Sequence, residues 1–208
     1  MFAVIPAAGH STRMGRPKLA LPLGGRTVLE RVIDSLRDAG VEVLVVLGPH
    51  VADLAQRALA AGAQVLNLPE PTPQMRVTVE AGLAFLEDSH PNPDEPWLLV
   101  PADHPVLDAA LVRRLIGEFA RRPDCSIAVP TFEGKRGHPA LVRWKHWPRI
   151  RDFDPTLGLN AYLRTLANET LEVPVDSPDV LLDLDTPEDY ERLRKRFDEV
   201  SPSGEPPA

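Results

Sequence analysis

The chain of 208 residues has a single cysteine, Cys125. No internal disulfide is possible, so no disulfide framework holds this fold together. Cys125 stands in Cys125-Ser126-Ile127-Ala128-Val129, which reads as a strand, with no cation beside it in sequence to activate a thiolate. A buried structural thiol is the plainer reading than a nucleophile. No apolar run approaches the roughly 18 residues that a membrane span needs. Met1-Phe2-Ala3 leads straight into a strand with no signal-peptide pattern, so a cytoplasmic location without a membrane partner is expected. Positive charge is not in excess either. Lys and Arg number 23 against 30 Asp and Glu, a formal net charge of -7. Phosphate backbones select basic faces, so no nucleic-acid partner is expected. A free nucleotide needs only a local cationic pocket and remains open. Internal repeats are also absent.

What is present describes one globular domain. Hydrophobic residues are 43% and charged residues 25%, and the length suffices for a sizeable core. The 23 prolines fall mostly at strand ends and in loops. Apolar runs at Ala3 to Ala7, Val41 to Leu47 and Trp97 to Val100 lack polar alternation, the mark of strands buried on both faces. Helical segments alternate with them: Thr27 caps one through Arg37, Val51 to Ala61 is a second, and Arg76 to Glu87 a third, interrupted by Gly82. The alternation predicts an α/β sheet with helices on both faces. Asp108 caps a further helix to Arg121, and Thr186-Pro187-Glu188-Asp189 starts the last one. Val180 to Asp185 reads as a strand. Residues 1 to 198 form the expected domain, and the Pro/Ser/Gly/Glu-rich stretch Glu199 to Ala208 is expected to be disordered.

The most informative stretch is Ala3-Val4-Ile5-Pro6-Ala7-Ala8-Gly9-His10-Ser11-Thr12-Arg13-Met14-Gly15-Arg16-Pro17-Lys18. A buried strand breaks into a loop of small and hydroxyl residues that ends in cations. Small residues let backbone approach a ligand, and free N–H groups with nearby cations suit phosphate. Arg13 can hold a phosphate with a planar fork, and Lys18 as a mobile point charge. The Walker loop is excluded because Lys18 follows Pro17 and precedes Leu19. The dinucleotide loop is excluded because only Gly9 and Gly15 are present. The reading is a triphosphate-binding loop; a plain surface turn with solvated cations is the alternative. In α/β sheets ligands sit beyond the carboxyl ends of the strands, which is where this loop falls.

Three other stretches carry chemistry. Asp103, in Val100-Pro101-Ala102-Asp103-His104-Pro105, follows an apolar strand at the same sheet edge. A carboxylate there can hold Mg2+ against phosphate oxygens, or can simply cap a turn. Asp183 and Asp185 are two apart on an extended segment, so they share one face, with Leu182 and Leu184 on the other. Two such carboxylates repel unless a cation sits near them. Gly137-His138-Pro139 closes a polar turn that by itself reads only as a hairpin.

Ala7-Ala8-Gly9-x-Ser11-x-Arg13-Met14-Gly15-x-Pro17-Lys18-Leu19-x-Leu21-Pro22 resembles the opening of the MobA-like nucleotidyltransferases, the family related to molybdenum cofactor cytidylyltransferase. Asp103-x-Pro105 and Asp183-Leu184-Asp185-Thr186-Pro187-Glu188-Asp189 resemble the same family's metal motifs. The resemblance implies a single-domain, Rossmann-like three-layer α/β sandwich of the nucleotide-diphospho-sugar transferase type, with a mixed, mostly parallel sheet. It implies CMP transfer from CTP to the terminal phosphate of molybdopterin, with Mg2+ as cofactor and pyrophosphate released. Arg13, Lys18 and Asp103 would be catalytic. Ala7, Ala8, Gly9, Ser11, Arg13, Lys18, Asn67 and Thr78 would bind the nucleotide. Asp103 and Asp185, with Asp183 beside them, would hold the metal, and His104, Gly137 and His138 the acceptor. Asp189 would support the first turn of the last helix. The small-molecule partners would be the triphosphate and a phosphorylated acceptor, and the protein partner a molybdoenzyme or its chaperone. GTP as donor, a sugar or polyol phosphate as acceptor, and a non-catalytic nucleotide or cofactor carrier are the other readings.

The chain departs from the family pattern in two places. Gln74-Met75-Arg76-Val77-Thr78-Val79 stands where Gly-Met-x-x-Ser-Leu is common, so Arg76 is an extra cation that either meets a phosphate or is solvated. Asp154-Pro155-Thr156-Leu157-Gly158-Leu159-Asn160 lacks the Asp and Arg of the family's Gly-Asp-x-Gly-Ala-Arg.

Overall fold

Residues 1–9, 14, 17–89 and 92–200 are described by the computed structural model of the chain, 199 and 200 by their backbone alone. Ser11, Arg13 and Gly15 of the first loop, and the tail beyond Val200, lie outside the described residues.

The first strand, β1 (Phe2–Ala7), has five of its six residues buried. Its loop returns through a 3-10 turn at Lys18–Ala20 and a small hairpin of β2 (Pro22–Leu23) and β3 (Arg26–Thr27). Helix α1 (Val28–Asp38) then starts on a reciprocal cap: Thr27 Oγ1 accepts from Glu30 N, and Glu30 Oε2 accepts from Thr27 N. Next come β4 (Glu42–Leu47), a short α2 (Ala55–Ala60), β5 (Gln64–Asn67), α3 (Met75–Leu86) and β6 (Pro96–Leu99). The helix expected from Val51 is shorter than its pattern. Pro49–Leu54 forms a tight 3-10 stretch, because Val51 turns into the core at φ -129°, outside the helical range. Gly82 does not interrupt α3. A side chain there would bring a Cβ within 2.9 Å of Val4 Cγ1 and Val46 Cγ2, so glycine lets the helix lie close on the sheet.

The second half opens with α4 (Ala109–Ala120), capped by Asp108 Oδ1, which accepts from Ala110 N. A hairpin of β7 (Ile127–Phe132) and β8 (Lys135–Arg136) turns through Glu133 and Gly134, both at positive φ, and leads to β9 (Ala140–Arg143). Helices α5 (Trp147–Arg151) and α6 (Leu159–Thr165), strand β10 (Thr170–Pro174) and α7 (Pro187–Val200) complete the chain. The strand expected over Val180 to Asp185 is not one. Pro178–Leu181 is a 3-10 turn, and the extended residues after it make a single backbone bond to their neighbour, Leu184 N to Asp103 O at 2.9 Å. Strand pattern without a ladder partner gives an extended tether. The alternation holds nonetheless: Leu184 is buried and Leu182 packs beside it in the same core.

The large sheet runs β10-β7-β9-β6-β1-β4-β5, with β8 extending β7. Six of these strands are parallel; β9 runs against both its neighbours, β6 and β7. Period-two alternation divides β1 between two cores. Ala3, Ile5 and Ala7 join α1, α4 and α7 on one face, while Phe2 and Val4 join α3, α5 and α6 on the other. The result is the expected three-layer α/β sandwich with a mixed, mostly parallel sheet. Among the described residues no helix is long and apolar enough to cross a membrane.

Candidate active site

The parallel strands end at one sheet edge, and the loops leaving β1, β5, β6 and β10 meet there. So does the turn entering β9, because that strand is reversed. Lys18 reaches across this edge from the turn after the β1 loop. Its Nζ lies 2.5 Å from Asp103 Oδ2 and 3.0 Å from Asp185 Oδ1. Three residues separated by up to 167 positions thus meet at one atom. Burial opposes the Lys18 charge, but Asp103 and then Asp185 outweigh it, and its pKa is raised.

Lys18, Asp103 and Asp185 line a cleft of about 440 Å³. Ala7, Ala8 and Gly9 line it from β1 and its loop, and Thr78 from the first turns of α3. Thr78 is buried, and its hydroxyl lies 2.7 Å from that of Thr72. The sequence reading missed Met14, Leu19, Thr72 and Gln74, which also line the cleft. It missed His50 as well, whose Nε2 lies 3.1 Å from the Gly9 carbonyl. Met14 and Leu19 stand inside the first-loop motif and Gln74 beside the start of α3, whereas Thr72 and His50 lie in no motif and only the fold brings them here. Asn67, at the end of β5, is exposed and is not part of the lining.

The residues expected on the acceptor side form a second group next to the first. His104 follows Asp103 and is buried, its Nδ1 3.5 Å from Asp183 Oδ1 and its ring centroid 6.4 Å from that of His138. The His104 hydrogen bond, against burial, keeps Asp183 below the usual carboxylate range, and burial pushes His138 down. Gly137 sits against the 178–181 turn, where any Cβ would come within 2.3 Å of the Val180 carbonyl oxygen. His138 N donates to that same oxygen at 2.9 Å. Asp183 therefore faces the histidines, and Asp185 faces Lys18.

Asp189 accepts from the Thr186 backbone and hydroxyl, while Thr186 Oγ1 accepts from Asp189 N. It supports the first turn of α7, as expected. Arg76 is a correction: it is neither solvated nor turned to the cleft, but buried and bonded to backbone carbonyls of residues 150–157. Cys125 is buried just ahead of β7, and desolvation pushes its thiol up, as a structural thiol requires.

The donor set can be tested for Mg2+. Among the described residues no three His, Cys, Asp or Glu side chains form a metal cluster. Mg2+ is commonly held by one or two carboxylates together with substrate phosphates and water. The hard oxygens of Asp103 and Asp185, already converging on one cation, suit that role.

A family model described as the MobA-like NTP transferase domain matches residues 3–173. The molybdenum cofactor cytidylyltransferase of Escherichia coli strain K12 is 25% identical over 198 residues, 95% of this chain and 97% of that protein. The molybdenum cofactor guanylyltransferase of Sinorhizobium fredii strain NGR234 is 27% identical, covering 97% of this chain and 94% of its own. The crystal structure of Rv0371c from Mycobacterium tuberculosis H37Rv superimposes with a TM-score of 0.75 at 28% identity, over 93% of this chain and 96% of that one. A further structure of that protein is a complex with manganese, with a TM-score of 0.69 over 93% of this chain and 97% of that one.

Proposed function

The chain belongs to the family of MobA-like NTP transferases, and from that premise we propose that it transfers CMP from CTP to the terminal phosphate of molybdopterin, releasing pyrophosphate. At the coarser level it is a nucleotidyltransferase that moves a nucleotidyl group from a nucleoside triphosphate to a phosphorylated acceptor. The observation that carries the finer mechanism is the meeting of Lys18 with Asp103 and Asp185 in the lining of the cleft.

An acceptor phosphate oxygen attacks the α-phosphorus as the bond to the β-phosphate breaks, so no protein nucleophile is needed. Catalysis is then positioning and charge stabilisation. Ala8 and Gly9 let the backbone come close to the triphosphate, and the Thr78 hydroxyl faces the nucleoside. Lys18 exchanges its carboxylate partners for phosphate oxygens. Asp103 and Asp185 are the residues that would hold Mg2+, and the ion would supply positive charge against the leaving pyrophosphate. Asp183 stays with His104 and orients it toward the acceptor side, beside His138 and Gly137. Arg13 serves as the second phosphate cation.

Ala7-Ala8-Gly9 and the Lys18-Leu19-x-Leu21-Pro22 ending resemble the cytidylyl branch of the family, whose guanylyl members usually read Ala-Gly-Gly at the first string, and so support CTP as donor. The product is suited to delivery to a molybdoenzyme or its chaperone in the cytoplasm. Pyrophosphate release is measured with CTP, GTP, ATP and UTP, each with and without molybdopterin, and with EDTA as the metal-free control. Release with CTP that requires both molybdopterin and Mg2+ is the expected result. Release with GTP instead would move the chain to the guanylyl reaction that its Sinorhizobium relative is named for. Release with none of the four would sink the proposal.

A further inference from the structure

We propose that Arg76 is a positioning residue that fixes the nucleotide-side wall of the cleft by tying the first turn of α3 to the end of α5. The inference rests on reading that cleft as the nucleotide site.

Arg76 is the second residue of α3, and its neighbours in the chain, Gln74, Met75 and Thr78, line the cleft. Two features make its place unusual. The start of a helix is its positive end, where a cation is unfavourable. Gln74, the residue that caps this helix, makes no capping bond with its side chain. Local preference therefore does little to hold the first turn where it is, yet Arg76 is only 4% exposed.

The guanidinium resolves this by reaching away from its own helix. Nη2 donates to the carbonyls of Ile150 at 2.7 Å and Phe153 at 2.9 Å. Nη1 donates to those of Asp154 at 2.5 Å and Leu157 at 2.9 Å. Nε donates to Glu80 Oε1 at 2.6 Å, one turn along α3. The five donors of the side chain are all used. The carbonyls come from the last turn of α5 and the segment after it, the negative end of that helix, so a cation is favoured there.

The partner segment is itself ordered. Leu157 N donates to the Asp154 carbonyl at 3.1 Å, and Asp154 Oδ1 accepts from the backbone and hydroxyl of Thr156. Arg76 thus joins the start of one helix to a preformed turn. A lysine in its place has three donors on one atom and cannot span four carbonyls. Without the clamp, Gln74, Met75 and Thr78 lose the anchor that sets their angle to the cleft.

The test compares wild type with Arg76→Lys and Arg76→Ala. Calorimetric titration with the Mg2+ complexes of CTP, GTP, ATP and UTP gives binding, and amide exchange reports on residues 75–79 and 153–157. Arg76→Lys should weaken binding of the preferred triphosphate about tenfold, the scale of losing a hydrogen bond to a charged group. Exchange should quicken in both segments, and turnover at saturating triphosphate should fall much less than affinity. Where Arg76→Ala fails to fold, Arg76→Lys carries the test. Wild-type affinity in folded Arg76→Lys, with only a lower melting temperature, would make Arg76 a purely structural clamp and overturn the inference alone. Unchanged exchange in residues 75–79 would overturn it too. A wild type that binds none of the four triphosphates would bring down the nucleotide reading and this inference together.

Discussion

Lys18 sits where burial and two carboxylates pull in opposite directions, and the carboxylates win. Its pKa is raised, so the stability it lends is fully present below the ordinary lysine value of 10.5 and is lost only as pH rises through the higher folded value. The ammonium is therefore charged at any physiological pH. Lys18→Ala and Asp103→Ala should each lower Mg2+-dependent pyrophosphate release about a hundredfold or more, the scale of removing one strong charge stabiliser. Near-normal rates in both variants would refute the site. His146 gives a different pH signature. Burial first, then Lys145 and Arg149, push its pKa down to about 4. A histidine held neutral in the fold takes up a proton on unfolding below its ordinary value, so stability is intact above pH 6.5, falls as pH drops below it and levels off below about 4. Unfolding free energies from urea titration at pH 7 and pH 5 should differ by roughly 1–2 kcal/mol on this account, and His146→Gln should remove most of that difference. An unchanged slope in the variant would assign the acid sensitivity elsewhere. Lys18, Asp103 and Asp185 were legible because each stands in a local motif at a strand end or helix start. Arg76 was not, since its partner carbonyls lie 74 to 81 residues further along and a sequence carries no sign of a backbone acceptor.

Among the elements, those set by neighbours three or four residues away could be read directly. Thr27 with Glu30, and Thr186 with Asp189, form reciprocal caps where their spacing predicts them. Val180 to Asp185 could not, because a strand needs a partner and the pattern alone cannot supply one. Glycines inside helices divide along the same line. Gly82 and Gly117 look alike in sequence, and helix propensity favours alanine at both by about 0.5–1 kcal/mol. Their surroundings differ: a Cβ at Gly82 meets Val4 and Val46 at 2.9 Å, while one at Gly117 meets nothing within 4 Å. Denaturant unfolding should show Gly117→Ala as stabilising. Gly82→Ala should destabilise by about 1–3 kcal/mol, the range for overpacking a tight core. Stabilisation by both would mean that α3 has room the geometry denies.

For the whole molecule, the alternation of strand and helix signals was enough to give layers and sidedness, because strands buried on both faces have a distinctive composition. Strand direction was not legible. Ala140–Arg143 is four residues that read the same whichever way they run, and only its pairing with β6 and β7 shows that β9 is reversed. The two cores share that one sheet, with β1, β4 and β6 contributing side chains to both. Neither core can lose its packing without stripping the other's floor. Calorimetry should show one unfolding transition whose van't Hoff and calorimetric enthalpies agree; two resolved transitions would mean the halves fold separately.

The reversal of β9 has a consequence for how such a molecule can change. Elsewhere the chain crosses the site edge on its way out of the sheet; at Gly137-His138-Pro139 it crosses on its way in. The segment from Glu133 to Pro139 is anchored by β7 and β9, and neither strand carries Lys18 or Asp103. Apart from Gly137, which packs on the Val180 carbonyl oxygen, its side chains can be rewritten without shifting β1, the strand that leads into the proposed triphosphate loop. On the proposed function, a lineage can thus keep one nucleotide donor and exchange what receives it, one hairpin at a time.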